Sequence, residues 1–342
     1  MREINIEALK NNFDLIKKTI HKNVCVMVKA DAYGHGLRSV CMALKNDADF
    51  FGVATIYEAK KIRSFGVTNK ILVVGKSELC DLVSHLENDV DISVFSFDEL
   101  KQIEEFCKQK KKKMRIHIKV NSGMNRLGVK TIKEFNLMQN LLKISKNLEF
   151  CGLFTHFCSI KEDKTYFEKQ KKTFELFVSV VDKMFKPLIH VGGSGAICEE
   201  FSFHVDMVRA GLALYGYSSD LPVQKVMRVT SKILQINEVL PYEMTGYFPC
   251  KTASFPRRTA TIFYGYADGI PKKLTNQAFV KINDHKCEIL GVCMDMIICD
   301  VTNVLCEEGN DVVVFDDAEV WAEKLGVIPY EVLTGFKNLR KH

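Results

Sequence analysis

The sequence predicts an α/β chain in which a parallel (β/α)8 barrel over residues 8–220 is followed by a mainly antiparallel β domain over residues 221–342. Three observations carry this. Eight strand-like apolar runs alternate with helix-like stretches through the first two thirds of the chain. No glycine fingerprint follows the first run, which argues against the main rival, an open doubly wound sheet. After about residue 220 the strand-like runs follow one another with only turns between them.

The runs of the barrel are 24–29, 50–56, 70–75, 91–96, 114–120, 148–156, 187–194 and 204–211. Apolar residues three and four apart mark the crossovers, as at Ile103, Phe106 and Cys107, or at Phe174, Phe177 and Val181. The last crossover is short. In the second part the runs are 229–240, 259–265, 278–282, 296–301 and 311–315, with one helix near residues 321–325. The N-terminus, Met1 to Ile6, alternates like a strand and has no signal-peptide core.

Composition bounds the function. The 342 residues are 47% apolar and 26% charged, as in an ordinary soluble globular protein, and no apolar run is long enough to cross a bilayer. The net charge of +6 owes much to Lys108 and to Lys110 through Lys113, where no aromatic residues interleave, so a solvated loop is expected rather than a nucleic-acid surface. The 12 cysteines include no Cys-x-x-Cys pair, and Cys25, Cys151, Cys293 and Cys299 lie in apolar runs. Reduced, buried thiols of a cytoplasmic protein are expected, with neither a disulfide framework nor a metal site.

The chemistry-bearing residues fall at or just past the C-terminal ends of the proposed barrel strands: Lys29 at the first, Lys119 and Arg126 about the fifth, His156 at the sixth, Ser194 at the seventh and Arg209 at the eighth. That face carries the active site in barrels of this type, often with a phosphate site near the last two strands. Gly192-Gly193-Ser194-Gly195 and Gly211 lie there, and bare backbone N–H groups with a hydroxyl can hold a phosphate. A lysine at the end of a buried strand suits Schiff-base chemistry, because desolvation favours its neutral, nucleophilic form.

These residues sit in motifs that resemble those of the alanine racemase family along nearly the whole chain. The landmarks are Lys29-Ala30-Asp31-Ala32-Tyr33-Gly34-His35-Gly36, Lys119-Val120-Asn121-Ser122-Gly123-Met124-Asn125-Arg126, Thr155-His156-Phe157, Val208-Arg209-Ala210-Gly211, Gly265-Tyr266-Ala267-Asp268-Gly269, Cys293-Met294-Asp295 and Ile328-Pro329-Tyr330-Glu331. The resemblance implies a pyridoxal 5′-phosphate enzyme that interconverts L- and D-alanine and supplies D-alanine for peptidoglycan. A racemase of broader range, for serine or lysine, and a non-catalytic cofactor-binding protein are the alternatives.

By the same resemblance Lys29 holds the cofactor and acts on one face of the substrate Cα, and Tyr266 acts on the other. Tyr33, Ser194, Gly211, Leu212 and Tyr330 match phosphate-binding positions. Arg126 reaches the cofactor and the substrate carboxylate, His156 lies against the ring and Arg209 faces its nitrogen. Met294 meets the substrate carboxylate, with Lys119, His190 and Asp295 in support. Lys119 matches a position where many members carry a carbamylated lysine. His190 is expected to pass a hydrogen bond from Arg209 on to Tyr266, whose reference pKa of about 10 otherwise makes it a poor base. The family forms homodimers with shared sites, and its N-terminal strand, here residues 1–7, joins the β domain. The chain departs from the family at Gly193 (usually asparagine), at Ala210 (usually proline) and at Leu290-Gly291 (usually Gly-Arg).

Overall fold

The structure is a computed structural model that describes residues 1–158, 160–247 and 252–336. It divides into two compact units. One comprises Glu7–Ala32 and Leu37–Gln224. The other comprises Met1–Ile6, Tyr33–Gly36 and the chain from Lys225 on. In this division the C-terminal stretch of the second unit starts at Lys225, and the unit also takes in residues 33–36, which the sequence pattern left with the barrel.

The first unit is a closed barrel of eight parallel strands. Strand β1 (Arg2–Ile4) belongs to the other unit. The barrel strands are β2 (Asn23–Met27), β3 (Phe50–Val53), β4 (Lys70–Val73), β5 (Asp91–Val94), β6 (Met114–Lys119), β7 (Leu148–Phe154), β8 (Leu188–Gly192) and β9 (Met207–Ala210). Closure between β2 and β9 sets Cys25 beside Arg209 and Val26 beside Ala210, which removes the open doubly wound sheet from consideration. Strands β3, β5 and β9 are buried along their whole length and the other barrel strands along most of it, as expected where helices cover the outside and side chains fill the inside.

The crossovers are built from local signals. Thr55 caps α3 (Ile56–Ser64) in a capping box with Glu58, Ser96 caps α5 (Phe97–Lys110), and Thr131 caps α6 (Ile132–Ile144). The other crossover helices are α1 (Ile6–Ile20), α2 (Leu37–Leu44), α4 (Leu82–Glu87) and α7 (Lys164–Ser179). The Lys108–Lys113 run is the exposed end of α5 and the turn after it.

The second unit holds one sheet of seven strands in the order β1-β10-β11-β14-β13-β12-β15, with β10 (Met227–Val239) also pairing β15 (Asp311–Phe315). The others are β11 (Arg257–Phe263), β12 (Phe279–Ile282), β13 (His285–Val292) and β14 (Met296–Asp300). Pairing within the sheet is antiparallel, and Ile4 sits opposite Met227. The sequence pattern missed β13 and a second helix, α9 (Pro329–Gly335), beyond α8 (Ala318–Leu325). Phe315, Trp321 and Phe336 pack ring on ring, with Phe315 and Phe336 centroids 4.6 Å apart.

No helix among the described residues is long and apolar enough to cross a membrane, and no group of His, Cys, Asp or Glu there could hold a metal. Cys25 and Cys299 are buried as expected, whereas Cys151 and Cys293 are only half-buried.

Candidate active site

Lys29 lies two residues beyond the end of β2, not within it. Val28 still donates to the Gly52 carbonyl (2.9 Å), after which the chain turns left-handed: Ala30, Asp31, Ala32 and Tyr33 all have φ near +54°. Four such non-glycine residues in a row are strained, at about 1–2 kcal/mol each, and need outside support. Two carboxylates supply it. Glu58 accepts from the Ala30 N–H (2.7 Å), and Asp31 accepts from the Leu37 N–H (2.8 Å) at the start of α2. The turn ends the run of buried strand residues at a half-buried Lys29.

Around Lys29 the rim is strongly positive. Burial lowers the Lys29 pKa below the usual lysine value, and the charges of Arg126 and Arg209 lower it further. Lys119, only 6% exposed, is lowered to about 8 by burial and then by Arg126, Arg209 and Lys29. His156, two residues past β7, is lowered to about 3 by burial and the same four cations. No carboxylate appears among the influences on Lys119 or His156. At neutral pH the His156 ring is therefore uncharged, and both lysines give up their protons more readily than an ordinary lysine.

Arg209 is fixed on all sides. Its Nη2 donates to the Thr155 carbonyl (2.5 Å) and its Nη1 to His190 Nδ1 (2.8 Å), and its guanidinium lies 4.8 Å over the Phe154 ring. Gly192 makes the room, since a Cβ there would lie 2.2 Å from Arg209 Nη2. Gly211 leads from β9 into the 3-10 turn Leu212–Tyr215, whose Tyr215 hydroxyl donates to the Met27 carbonyl (2.8 Å) just before Lys29. Gly193, where φ is +121°, leads β8 into a second such turn that opens at Ser194. The Ser194 side chain lies outside the described residues.

His190 Nδ1 accepts from Arg209 and its Nε2 meets His117 Nδ1 (2.9 Å), so both ring nitrogens have partners inside the barrel. His117 in turn bonds Asp91 (3.1 Å), which also accepts from Arg115 Nε (2.5 Å). His117 and Asp91 were not singled out from sequence, because a lone histidine or aspartate inside a strand run carries no spacing signal; Thr155 was quoted only within the Thr155-His156-Phe157 landmark.

In the second unit, Tyr266 and Met294 are neighbours. The Tyr266 N–H donates to the Cys293 carbonyl (2.9 Å) and Ala267 N–H to the Met294 carbonyl (3.0 Å). Buried Asp268 holds the turn by accepting from the Gly265 N–H (3.0 Å), and a Cβ on Gly265 would strike the Met294 carbonyl at 2.2 Å. Both side chains are exposed, Tyr266 by 42% and Met294 by 51%, with half-buried Asp295 beside them. Tyr33 and Tyr330 also meet here, ring centroids 5.6 Å apart. The left-handed Gly34 approaches α9 so closely that a Cβ would lie 2.2 Å from the Leu333 carbonyl.

A barrel rim bearing a lysine of lowered basicity among fixed cations fits a pyridoxal-phosphate enzyme of the barrel type. The family profile of the alanine racemase N-terminal domain matches residues 4–219, and that of the alanine racemase C-terminal domain matches residues 226–341. Alanine racemase 2 of Caldanaerobacter subterraneus subsp. tengcongensis is 35% identical over 98% of this chain and 92% of its own. The alanine racemase structure from Clostridium difficile 630 superposes with a TM-score of 0.93 at 31% identity, covering 98% of this chain and 93% of that one. That from Bartonella henselae, with covalently bound pyridoxal phosphate, gives 0.89 at 25% identity over 99% and 97%. The chain belongs to the alanine racemase family.

Proposed function

We propose that this chain interconverts L- and D-alanine with Lys29 and Tyr266 as its two acid–base groups, pyridoxal 5′-phosphate as cofactor, and a homodimer as the working form. The single observation that carries the reading is the Lys29 amine of lowered basicity, set by a left-handed turn into a rim of cations. This donor set fits the cofactor: an amine able to lose its proton meets the aldehyde, and the surrounding positive groups suit its phosphate and phenolate and the substrate carboxylate.

When bound, the cofactor supplies the electron sink that makes the alanine Cα proton removable. Lys29 Nζ takes or returns a proton on one face of that carbon, and the Tyr266 hydroxyl does so on the other, which inversion requires. Arg126, exposed at the rim, orients the carboxylate, with the backbone at Met294 as a second contact. The phosphate is assigned to Tyr33, Ser194, Gly211, Leu212 and Tyr330. Arg209 presents a permanent, immobilised charge to the cofactor ring nitrogen. Neutral His156 lies beside the ring without adding charge.

The dimer is supported by the second unit's surface, where Tyr242, Met244, Tyr247, Tyr266, Met294 and Met296 are all exposed. In the proposed assembly Tyr266 and Met294 serve the Lys29 of the other copy. A cytoplasmic location fits D-alanine supply for peptidoglycan and the reduced cysteines. Chiral chromatography of L-alanine incubated with the enzyme tests the activity. D-Alanine should accumulate to near equality, and unchanged chirality with cofactor bound overturns the proposal.

A further inference from the structure

Four side chains cross the barrel interior in one hydrogen-bonded row: Arg209 on β9, His190 on β8, His117 on β6 and Asp91 on β5. All four are at most 5% exposed. The proton positions follow from the two ends. A guanidinium only donates, so His190 Nδ1 must be bare and its proton must sit on Nε2. That N–H donates to His117 Nδ1, which leaves the His117 proton on Nε2. A carboxylate only accepts, and Asp91 Oδ2 receives that proton's bond. Both ends thus dictate the same two neutral tautomers.

The row exists because β7 yields. Gly152 sits beside His117 in the β6–β7 register, after a bulge between Ile116 and His117. A Cβ on Gly152 would lie 2.0 Å from His117 Nδ1, so only glycine lets the imidazole lean across β7 to His190. His190 is stacked on Phe154, centroids 4.7 Å apart, and that ring also underlies the Arg209 guanidinium.

We propose that Asp91 and His117 are positioning residues for Arg209: the carboxylate sets the His117 tautomer, His117 sets that of His190, and the bare His190 Nδ1 holds the guanidinium. The proposal rests on the reading that Arg209 serves the cofactor ring.

Asp91→Asn separates this row from simple packing. Arg115 Nε donates to the other Asp91 oxygen (2.5 Å), so the new amide turns its oxygen to Arg115 and its NH2 to His117. The tautomers then reverse along the row, and an N–H of His190 faces an N–H of Arg209. In an Asp91→Asn/Arg115→Met enzyme the amide is free to turn its oxygen to His117 and restore the native tautomers. Arg115→Met alone keeps them.

Nitrogen-15 NMR of histidine-labelled holoenzyme reads the tautomers directly, with His117→Gln and His190→Gln spectra assigning the signals. The expected result is Nε2–H on both rings in wild type, Nδ1–H on both in Asp91→Asn, and Nε2–H again in the double variant. Racemisation kcat should fall about 10–100-fold in Asp91→Asn, with KM within about twofold, and return in the double variant to the Arg115→Met value. A proton on His190 Nδ1 in wild type overturns the proposal. So does an Asp91→Asn enzyme with unchanged kcat, or one that loses kcat with its tautomers intact. If Asp91→Asn does not fold, the wild-type tautomers and the double variant still decide. A wild type that shows the tautomers but does not racemise alanine removes the catalytic reading and leaves the row standing.

Discussion

Gly152→Ala puts one methyl group where the barrel has no room for it. The added carbon would stand 2.0 Å from His117 Nδ1, 2.6 Å from Cε1 and 2.8 Å from Cγ. Retreat of β7 is blocked, because it is hydrogen-bonded to β6 on one side and β8 on the other. The imidazole must therefore yield, and its bonds to His190 and Asp91 go with it. Overpacking of a core site costs about 1–3 kcal/mol, and leaving buried polar partners unsatisfied costs about 1–3 kcal/mol more. The sum is about 2–6 kcal/mol of folding stability. Urea unfolding at fixed protein concentration measures it, beside Gly66→Ala as control. Gly66 has φ +78° and no atom within 4 Å of its would-be Cβ, so that change costs only backbone strain, about 1–2 kcal/mol, and leaves kcat unchanged. Gly152→Ala should lose kcat as well as stability. A loss below about 0.5 kcal/mol, the level of an ordinary surface change, would refute the close approach of His117 across β7.

Titration gives two further expectations. Because the Lys119 pKa is lowered to about 8 in the folded protein, the fold bears the penalty fully below pH 8 and loses it as pH rises to the unfolded lysine range near 10.5. Lys119→Met should therefore stabilise the cofactor-free protein at pH 7 by about 3 kcal/mol, and the gain should vanish above about pH 10.5; a pH-independent gain would contradict it. His156 and His190 are held below the usual histidine value by burial and nearby cations. The unfolded chain then binds more protons below pH 6.5, and the unfolding free energy from urea titrations should fall between pH 6.5 and pH 5 by about 1.4 kcal/mol per pH unit for each ring. His156→Gln should flatten that slope. Mixed dimers of inactive Lys29→Ala and Tyr266→Phe subunits should regain one working site of two; heterodimers that form but stay inactive would refute the shared site.

The barrel was legible because its strands, largely buried on both faces, read as apolar runs separated by helical spacing; β3 through β9 fall inside those runs and β2 starts one residue before its own. Edges were less legible. Each run continued into rim residues such as Lys29 and His156 that the chain places in turns, since hydrophobicity does not report where hydrogen-bond pairing stops. Strand β13 escaped because His285, Lys286 and Glu288 break its apolar pattern, although Cys287, Ile289 and Leu290 are buried. Of the site, the residues lying in contiguous motifs could be named from sequence. The Asp91–His117–His190 row could not, because it joins β5, β6 and β8 through contacts up to 73 residues apart and depends on an absent side chain at Gly152.

The rim's charge makes a last expectation about the cofactor. Lys29, Lys119, Arg126 and Arg209 gather where burial already disfavours charge, and each depresses its neighbours. Glu58 acts on Lys29 and is also engaged by the backbone N–H groups of Ala30 and Ala54, and no carboxylate acts on Lys119 or His156. The row leading away from Arg209 ends in a single carboxylate already shared with Arg115. The rim therefore gathers mutually repelling positive charge that an anionic ligand relieves, and binding should raise stability by the mass-action amount, about 2.7 kcal/mol at a hundred times Kd. Pyridoxal without the phosphate supplies the aldehyde but little of the charge. Inorganic phosphate supplies charge without the aldehyde. Thermal melts of cofactor-free protein should therefore rise most with pyridoxal 5′-phosphate, measurably with phosphate alone and least with pyridoxal. In Lys29→Ala the full cofactor should still stabilise, but no more than its charge allows. Equal melting temperatures for the cofactor-free protein with and without pyridoxal 5′-phosphate would show that the cations are neutralised some other way, and would remove the electrostatic case for the cofactor at this rim.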